Sequence, residues 1–179
     1  MAINDLISPW SGDGLRHSPK GIVVDPFDFT HCAISGDNRW NVAGEPTLYL
    51  ASSRAVALAE FSRHLNDARS AGVRAGIKKR NVFRYSLSFI ATLDLRSGAI
   101  LHELGIGTSS ALLAQDRGNA RSLATFARQL TLAQALLVPA MAFLNTPTEH
   151  WNIVVFLEKL EPDPKVYILD ADPDGEFSA

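Results

Sequence analysis

Three residues in the first third of the chain have the types and spacing to grip a phosphorylated ligand: Arg39, Tyr49 and Glu60. Arg39 opens Arg39-Trp40-Asn41, just ahead of the turn Ala43-Gly44-Glu45-Pro46. There a guanidinium can present its rigid fork of donors to a phosphate, with a charge that does not titrate. Tyr49 falls within Thr47-Leu48-Tyr49-Leu50-Ala51, a short β-prone run, and offers an aromatic face and a hydroxyl. Glu60 lies two turns into the helix expected next, beside Val56, Ala59 and Arg63, at the margin of its apolar stripe. A partly buried carboxylate needs a partner. Ribose hydroxyls would supply one, and so would Arg39 in a structural ion pair with Tyr49 as core; spacing alone leaves both open.

Other chemistries find little footing. His17, His31, His64, His102 and His150 are scattered, with no His pair at helical spacing and no cysteine pair, which argues against zinc. Gly105-Ile106-Gly107-Thr108 lacks both the lysine of a P-loop and the third glycine of a dinucleotide fingerprint, so it reads as the end of a helix. Asp170, Asp172 and Asp174 before Gly175 imitate a calcium loop, but Pro173 intrudes and the twelfth-position glutamate is missing. That stretch reads as an acidic tail over 170–179. No serine sits in a G-x-S-x-G elbow.

The elements that must position Arg39, Tyr49 and Glu60 are local. Ser52 and Ser53 are N-cap candidates for a helix over 54–65. Upstream, 1–38 is rich in Gly, Pro, Asp and Ser and reads as irregular, with one short strand at 21–24. The basic run from Arg74 to Arg80 reads as a solvated loop. Phe83, Tyr85, Leu87 and Phe89 alternate with Arg84, Ser86 and Ser88, the pattern of a half-buried strand over 82–89. Short helices are expected over 99–104 and 109–115, and a longer one over 121–134 with Leu123, Phe126, Ala127 and Leu130 on its apolar stripe. Buried strands are expected over 135–138 and 153–157, and a last strand over 166–169. Without regular βαβ alternation this is an α+β chain with small mixed or antiparallel sheets.

The run from Arg39 to Ala51, followed by Ala57-Leu58-Ala59-Glu60, resembles the RES domain family: an R-W-N before a glycine turn, a Y-L-A strand and an A-L-x-E helix. Leu15-Arg16-His17-Ser18-Pro19 is similar to the domain's arginine-containing start, Asp94-Leu95-Arg96 to its middle, and Leu137-Val138-Pro139-Ala140 with Asn152-Ile153-Val154-Val155-Phe156 to its end. The resemblance covers about 15–160 and is specific over 39–60. It implies an ADP-ribosyltransferase-like fold whose cleft holds NAD, and an NAD-degrading toxin paired with a helix-turn-helix antitoxin. Carried over by position, Arg39 with Arg16 holds the pyrophosphate and Tyr49 meets the nicotinamide-side ribose or ring. Glu60 holds ribose hydroxyls and steadies charge at the anomeric carbon, and Asn152 supports the substrate. The family's serine position is Ala140 here, which has no hydroxyl to offer.

The reading is therefore NAD glycohydrolase or phosphorylase chemistry, with water or inorganic phosphate as acceptor and no metal required. The alternatives are an ADP-ribosyltransferase and an inactive NAD- or partner-binding module, the last favoured by Ala140. Composition agrees with one ordinary domain of 179 residues, 46% hydrophobic and 20% charged. A formal net charge of −2 argues against nucleic acid as the main partner. Cys32 is the only cysteine, there is no signal-peptide pattern, and no apolar run is long enough to span a bilayer, which together read as cytoplasmic.

Overall fold

The computed structural model describes residues 3–21, 25–32, 38–70, 79–113, 117–143, 145–146, 148–160 and 162–178. Six strands, β1 (Ile7–Pro19), β2 (Thr47–Ala51), β3 (Lys79–Asp94), β4 (Ala135–Pro139), β5 (Trp151–Phe156) and β6 (Ile168–Ser178), form one sheet in the order β1-β2-β5-β4-β3-β6. Because β1 also pairs with β3, the first five close into a ring and β6 is appended beside β3. Every pairing is antiparallel except β3 with β4. The chain is mixed α+β as expected, but with a single sheet in place of several small ones. The joining element is β3: one edge takes β1, and the other takes β6 along 79–87 and then β4 along 92–94.

The side chains sort onto two faces of that ring. Leu48, Leu50, Tyr85, Leu87, Phe89, Ala135, Leu137, Ile153 and Val155 fill the interior. Their alternate neighbours Leu136, Val138, Val154 and Phe156 face outward under the helices, with Leu101, Leu112, Ala120, Ala124 and Ala127. Strands β4 and β5 are thus apolar on both faces, which is why they read as continuous runs. Of the face anticipated over 82–89, Tyr85, Leu87 and Phe89 are buried, whereas Phe83 is half-buried and Val82, on the opposite face, is buried in its place.

Two segments depart from the sequence reading. The irregular N-terminal stretch contains β1, which buries only Gly14 and Leu15 and so lacks a period-2 apolar pattern. Its order comes from a ladder to β3 running from Ile7↔Leu93 to Pro19↔Arg80. The two glycines inside it are sites of close approach: a Cβ on Gly12 would stand 2.8 Å from the Trp10 ring, and one on Gly14 2.8 Å from Ile153. The strand expected at 21–24 lies mostly outside the described residues, as does most of the basic run, whose end (Lys79, Arg80) belongs to β3.

The acidic stretch is the second departure. It is strand β6, not a tail, while Val166 sits in a 3-10 turn ahead of it. Cations on three elements hold it: Arg84 pairs with Asp174 at 3.2 Å, Lys20 with Glu176 at 2.7 Å, and Arg54 hydrogen-bonds the carbonyls of Asp174 and Glu176. Pro173 is tolerated because β6 is an edge strand and its register shifts there.

Helix α1 (Arg54–Ser70) begins as anticipated, with Ser53 Oγ accepting the N–H of Val56 at 3.3 Å, and continues past Leu65 through polar residues. Helices α2 (Gly98–Glu103) and α3 (Ser109–Leu112) are capped by Ser97 and Thr108; residues 114–115 of the expected second helix lie outside the described set. Gly105 and Gly107 have positive φ, as helix termination requires. Helix α4 (Gly118–Leu130) starts earlier than expected and buries Ala120, Ala124, Ala127 and Arg128, while Leu130 is exposed. Arg128 draws that face inward by stacking on Phe156 and bonding Thr47 and Glu158. Among the described residues no helix is long and apolar enough to cross a membrane.

Candidate functional site

Strands β1 and β2 meet at one register pair, Leu15↔Ala51. Beside that pair opens a cleft of about 550 Å³. Arg16 reaches it from β1, Arg39 from the loop before β2, Tyr49 from β2, Glu60 from α1 and Asn152 from β5. Five of the six residues singled out from the sequence thus share one cavity.

The Arg-Trp-Asn loop is built to aim its arginine. Trp40 is buried in the core under α2–α4, and Asn41 is buried as well. The Tyr49 hydroxyl donates to Asn41 Oδ1 at 2.7 Å and accepts the Trp40 N–H at 3.2 Å. Arg121 Nε caps the Asn38 carbonyl at 2.9 Å. With both following side chains committed inward, Arg39 is left to line the cleft. The Tyr49 hydroxyl thus organises the loop that carries Arg39. Burial, chiefly, pushes that hydroxyl's pKa well up, so it stays a neutral donor.

The cavity is strongly cationic. Among the described residues Arg16, Arg39, Arg63 and Arg117 line it, against the single carboxylate of Glu60. Burial, then the charges of Arg117 and Arg63, depress the Arg39 pKa, and Glu60 opposes the shift. Arg16 Nη2 lies 3.8 Å from Cys32 Sγ. Glu60 is partnered by Arg63, whose Nε and Nη2 reach Oε2 at 3.1 and 3.0 Å. The residue that takes the carboxylate is thus one turn along the same helix.

Ala140 is the exception. It is 0% exposed, packed with Ala51, Val56 and Ala57, and its neighbours Pro139 and Met141 line the cleft in its place. Expected as a binding position, it is a packing position between β4 and α1. Ala140→Ser should lower stability by about 1–2 kcal/mol through a buried hydroxyl and leave ligand turnover unchanged. Thermal melting of the two proteins alongside a turnover assay checks this.

Several cleft residues carried no usable signal in the sequence. Arg117 stands at the N-cap position of α4, with no side-chain capping bond, and comes from far along the chain; Arg63 was visible only as a helical neighbour of Glu60. His17, His31 and His64 also line the wall. His17 packs against Phe61 at 4.9 Å, and its Nδ1 accepts Arg80 Nε at 3.1 Å. Burial, then Arg80, with smaller contributions from His64 and Arg16, holds its pKa down to about 4. In the unfolded chain an imidazole takes a proton below about pH 6.5. Between that value and about 4 the unfolded state binds more protons, so stability is fully present above the window and falls as pH is lowered through it. The expected loss is about 3 kcal/mol by pH 4. Urea unfolding at pH 7 and pH 4.5 measures it, and His17→Gln, which retains an acceptor for Arg80, should show a shallower dependence.

A closed mixed β-ring with one cationic, carboxylate-bearing cleft at its β1–β2 seam defines an α+β protein equipped to hold an anionic ligand. The RES domain profile matches residues 14–178, and the chain belongs to that family. It is similar in structure to the crystallised M. tuberculosis MbcT–MbcA toxin–antitoxin complex, with a TM-score of 0.62 and 18% identity over 99% of this chain and 89% of that one. That likeness is one of fold. No curated protein sequence matches the chain.

Proposed function

We propose that this cleft binds NAD and cleaves the bond between nicotinamide and ribose. The observation that carries the reading is the convergence of Arg16, Arg39, Tyr49 and Glu60 on one cavity in a RES-domain chain. Arg39 and Arg16 are the natural holders of a pyrophosphate, because guanidinium forks match phosphate oxygens. The Tyr49 ring supplies a flat wall for the ribose or the nicotinamide. Nicotinamide leaves as a neutral group from a cationic precursor, so the transition state resembles an oxocarbenium ion and asks for a fixed negative charge more than for covalent chemistry. Glu60 is the only carboxylate among the described residues lining the cleft, and it is assigned that role. We read the ring and its seam cleft as the ADP-ribosyltransferase-like arrangement.

By the same reading the acceptor is water or inorganic phosphate, and the chain is the toxin of a toxin–antitoxin pair, silenced by a helix-turn-helix partner covering the cleft mouth. The test is incubation of the purified chain with NAD, with and without phosphate, following nicotinamide and the ADP-ribose moiety together. Stoichiometric nicotinamide and free or phosphorylated ADP-ribose are expected. ADP-ribose appearing on protein would make the chain a transferase, and binding without any release would make it a binding module.

A further inference from the structure

The Glu60 carboxylate is gripped from two elements at once. Oε2 accepts both Arg63 donors, and Oε1 accepts the backbone N–H of Ala142 at 3.2 Å. Arg63 is held in turn from its solvent side by Asp67 at 3.1 Å. Ala142 belongs to the turn Met141–Phe143, which is itself pinned. The Ala140 N–H donates to His150 O and the Phe143 N–H returns to Ala140 O, both at 3.0 Å. The Phe143 ring stacks on the His150 imidazole at 4.2 Å, and Thr146 Oγ1 lies 3.0 Å from His150 Nδ1. The turn that follows the buried Ala140 thus delivers one amide to the carboxylate of the cleft.

An ionised carboxylate has about four acceptor sites. Among the described residues Arg63 occupies two on Oε2 and Ala142 one on Oε1, which leaves a single site, on Oε1, for a ligand. We infer that Arg63 and the Ala142 amide are positioning groups that lock Glu60 so that it receives one ligand hydroxyl and holds its charge in a set place; this rests on the NAD reading above. A carboxylate on a flexible two-methylene stem would otherwise sample several rotamers, and a displacement of about 1 Å at a reacting centre costs on the order of 100-fold in rate. Arg63 also lines the cleft, so the rival role for it is direct contact with a phosphate. The two roles separate kinetically: a phosphate contact acts in the bound ground state and raises KM, whereas positioning acts on kcat.

The experiment uses the full chain in two measurements. In the first, nicotinamide release from NAD is followed for the parent, Arg63→Met and Arg63→Lys. Arg63→Met should lower kcat by about 10- to 100-fold with KM within about threefold, and Arg63→Lys, which keeps a donor and a charge, should recover part of the loss. In the second, hydrogen exchange of the Ala142 amide is measured without NAD in the parent and in Glu60→Ala. The amide should exchange about tenfold or more faster once its acceptor is gone. A raised KM with unchanged kcat in Arg63→Met overturns the inference, as does equal Ala142 exchange in the parent and Glu60→Ala. A protected Ala142 amide in a parent chain that releases no nicotinamide supports the lock on Glu60 and removes the NAD reading instead.

Discussion

Glu60→Gln is expected to lower kcat for nicotinamide release by about 100- to 1,000-fold while KM stays within about threefold. The substitution keeps size and removes charge. Charge is what a developing oxocarbenium ion asks for, while NAD in its ground state places weaker demands on that position. The surroundings of Glu60 make the amide a poor replacement on a second count. Its two oxygens face donors on both sides, Arg63 and the Ala142 N–H, so a glutamine must turn its NH₂ toward one of them. One hydrogen bond is lost if the NH₂ faces Ala142 and two if it faces Arg63, so stability should drop by at least about 1 kcal/mol. Steady-state kinetics with a thermal melt resolve the two effects. Parallel losses in binding and turnover would place Glu60 in ground-state recognition and take it out of the transition-state role.

Arg39→Ala should act on the other side of the kinetic scheme, weakening NAD binding by about 10- to 150-fold. That is the range for losing about 1.5–3 kcal/mol of charge-assisted hydrogen bonding to a phosphate. Buried Trp40 and the Tyr49–Asn41 hydrogen bond remain as anchors of the loop when Arg39 is changed. The crowding of Arg39 by Arg117 and Arg63 sharpens the expectation, because an anion in the cleft neutralises a cluster of like charges at once. Binding by the parent should accordingly weaken with rising salt, and Arg39→Ala should flatten that dependence. Calorimetric titration at two ionic strengths, using a Glu60→Gln background to suppress turnover, provides the check. Unchanged affinity in Arg39→Ala would remove the pyrophosphate from this end of the cavity.

What was legible in the sequence is what local chain geometry controls. Arg39, Tyr49 and Glu60 lie within 22 residues on a loop, a strand and a helix that follow one another directly, so their nearness was legible, while spacing alone left a structural ion pair open beside a ligand site. The serine cap of α1, the alternation of β3 and the doubly apolar runs of β4 and β5 are likewise written in consecutive residues, because capping and side-chain period are short-range effects. Tertiary structure alone decided the rest. Strand β1 has almost no apolar pattern and β6 carries four acids in eleven residues; both are strands because long β3 offers each an edge, with Arg54, Arg84 and Lys20 answering the acids. The same holds at the site. The Tyr49 hydroxyl is spent on its own loop, Ala140 is sealed against α1 instead of facing the cleft, and the partners of the Glu60 carboxylate are a side chain one turn away and an amide 82 residues on. Long-range pairing brings such groups together through backbone hydrogen bonds and packing that any compatible side chain can satisfy, so no residue type in the sequence announces them.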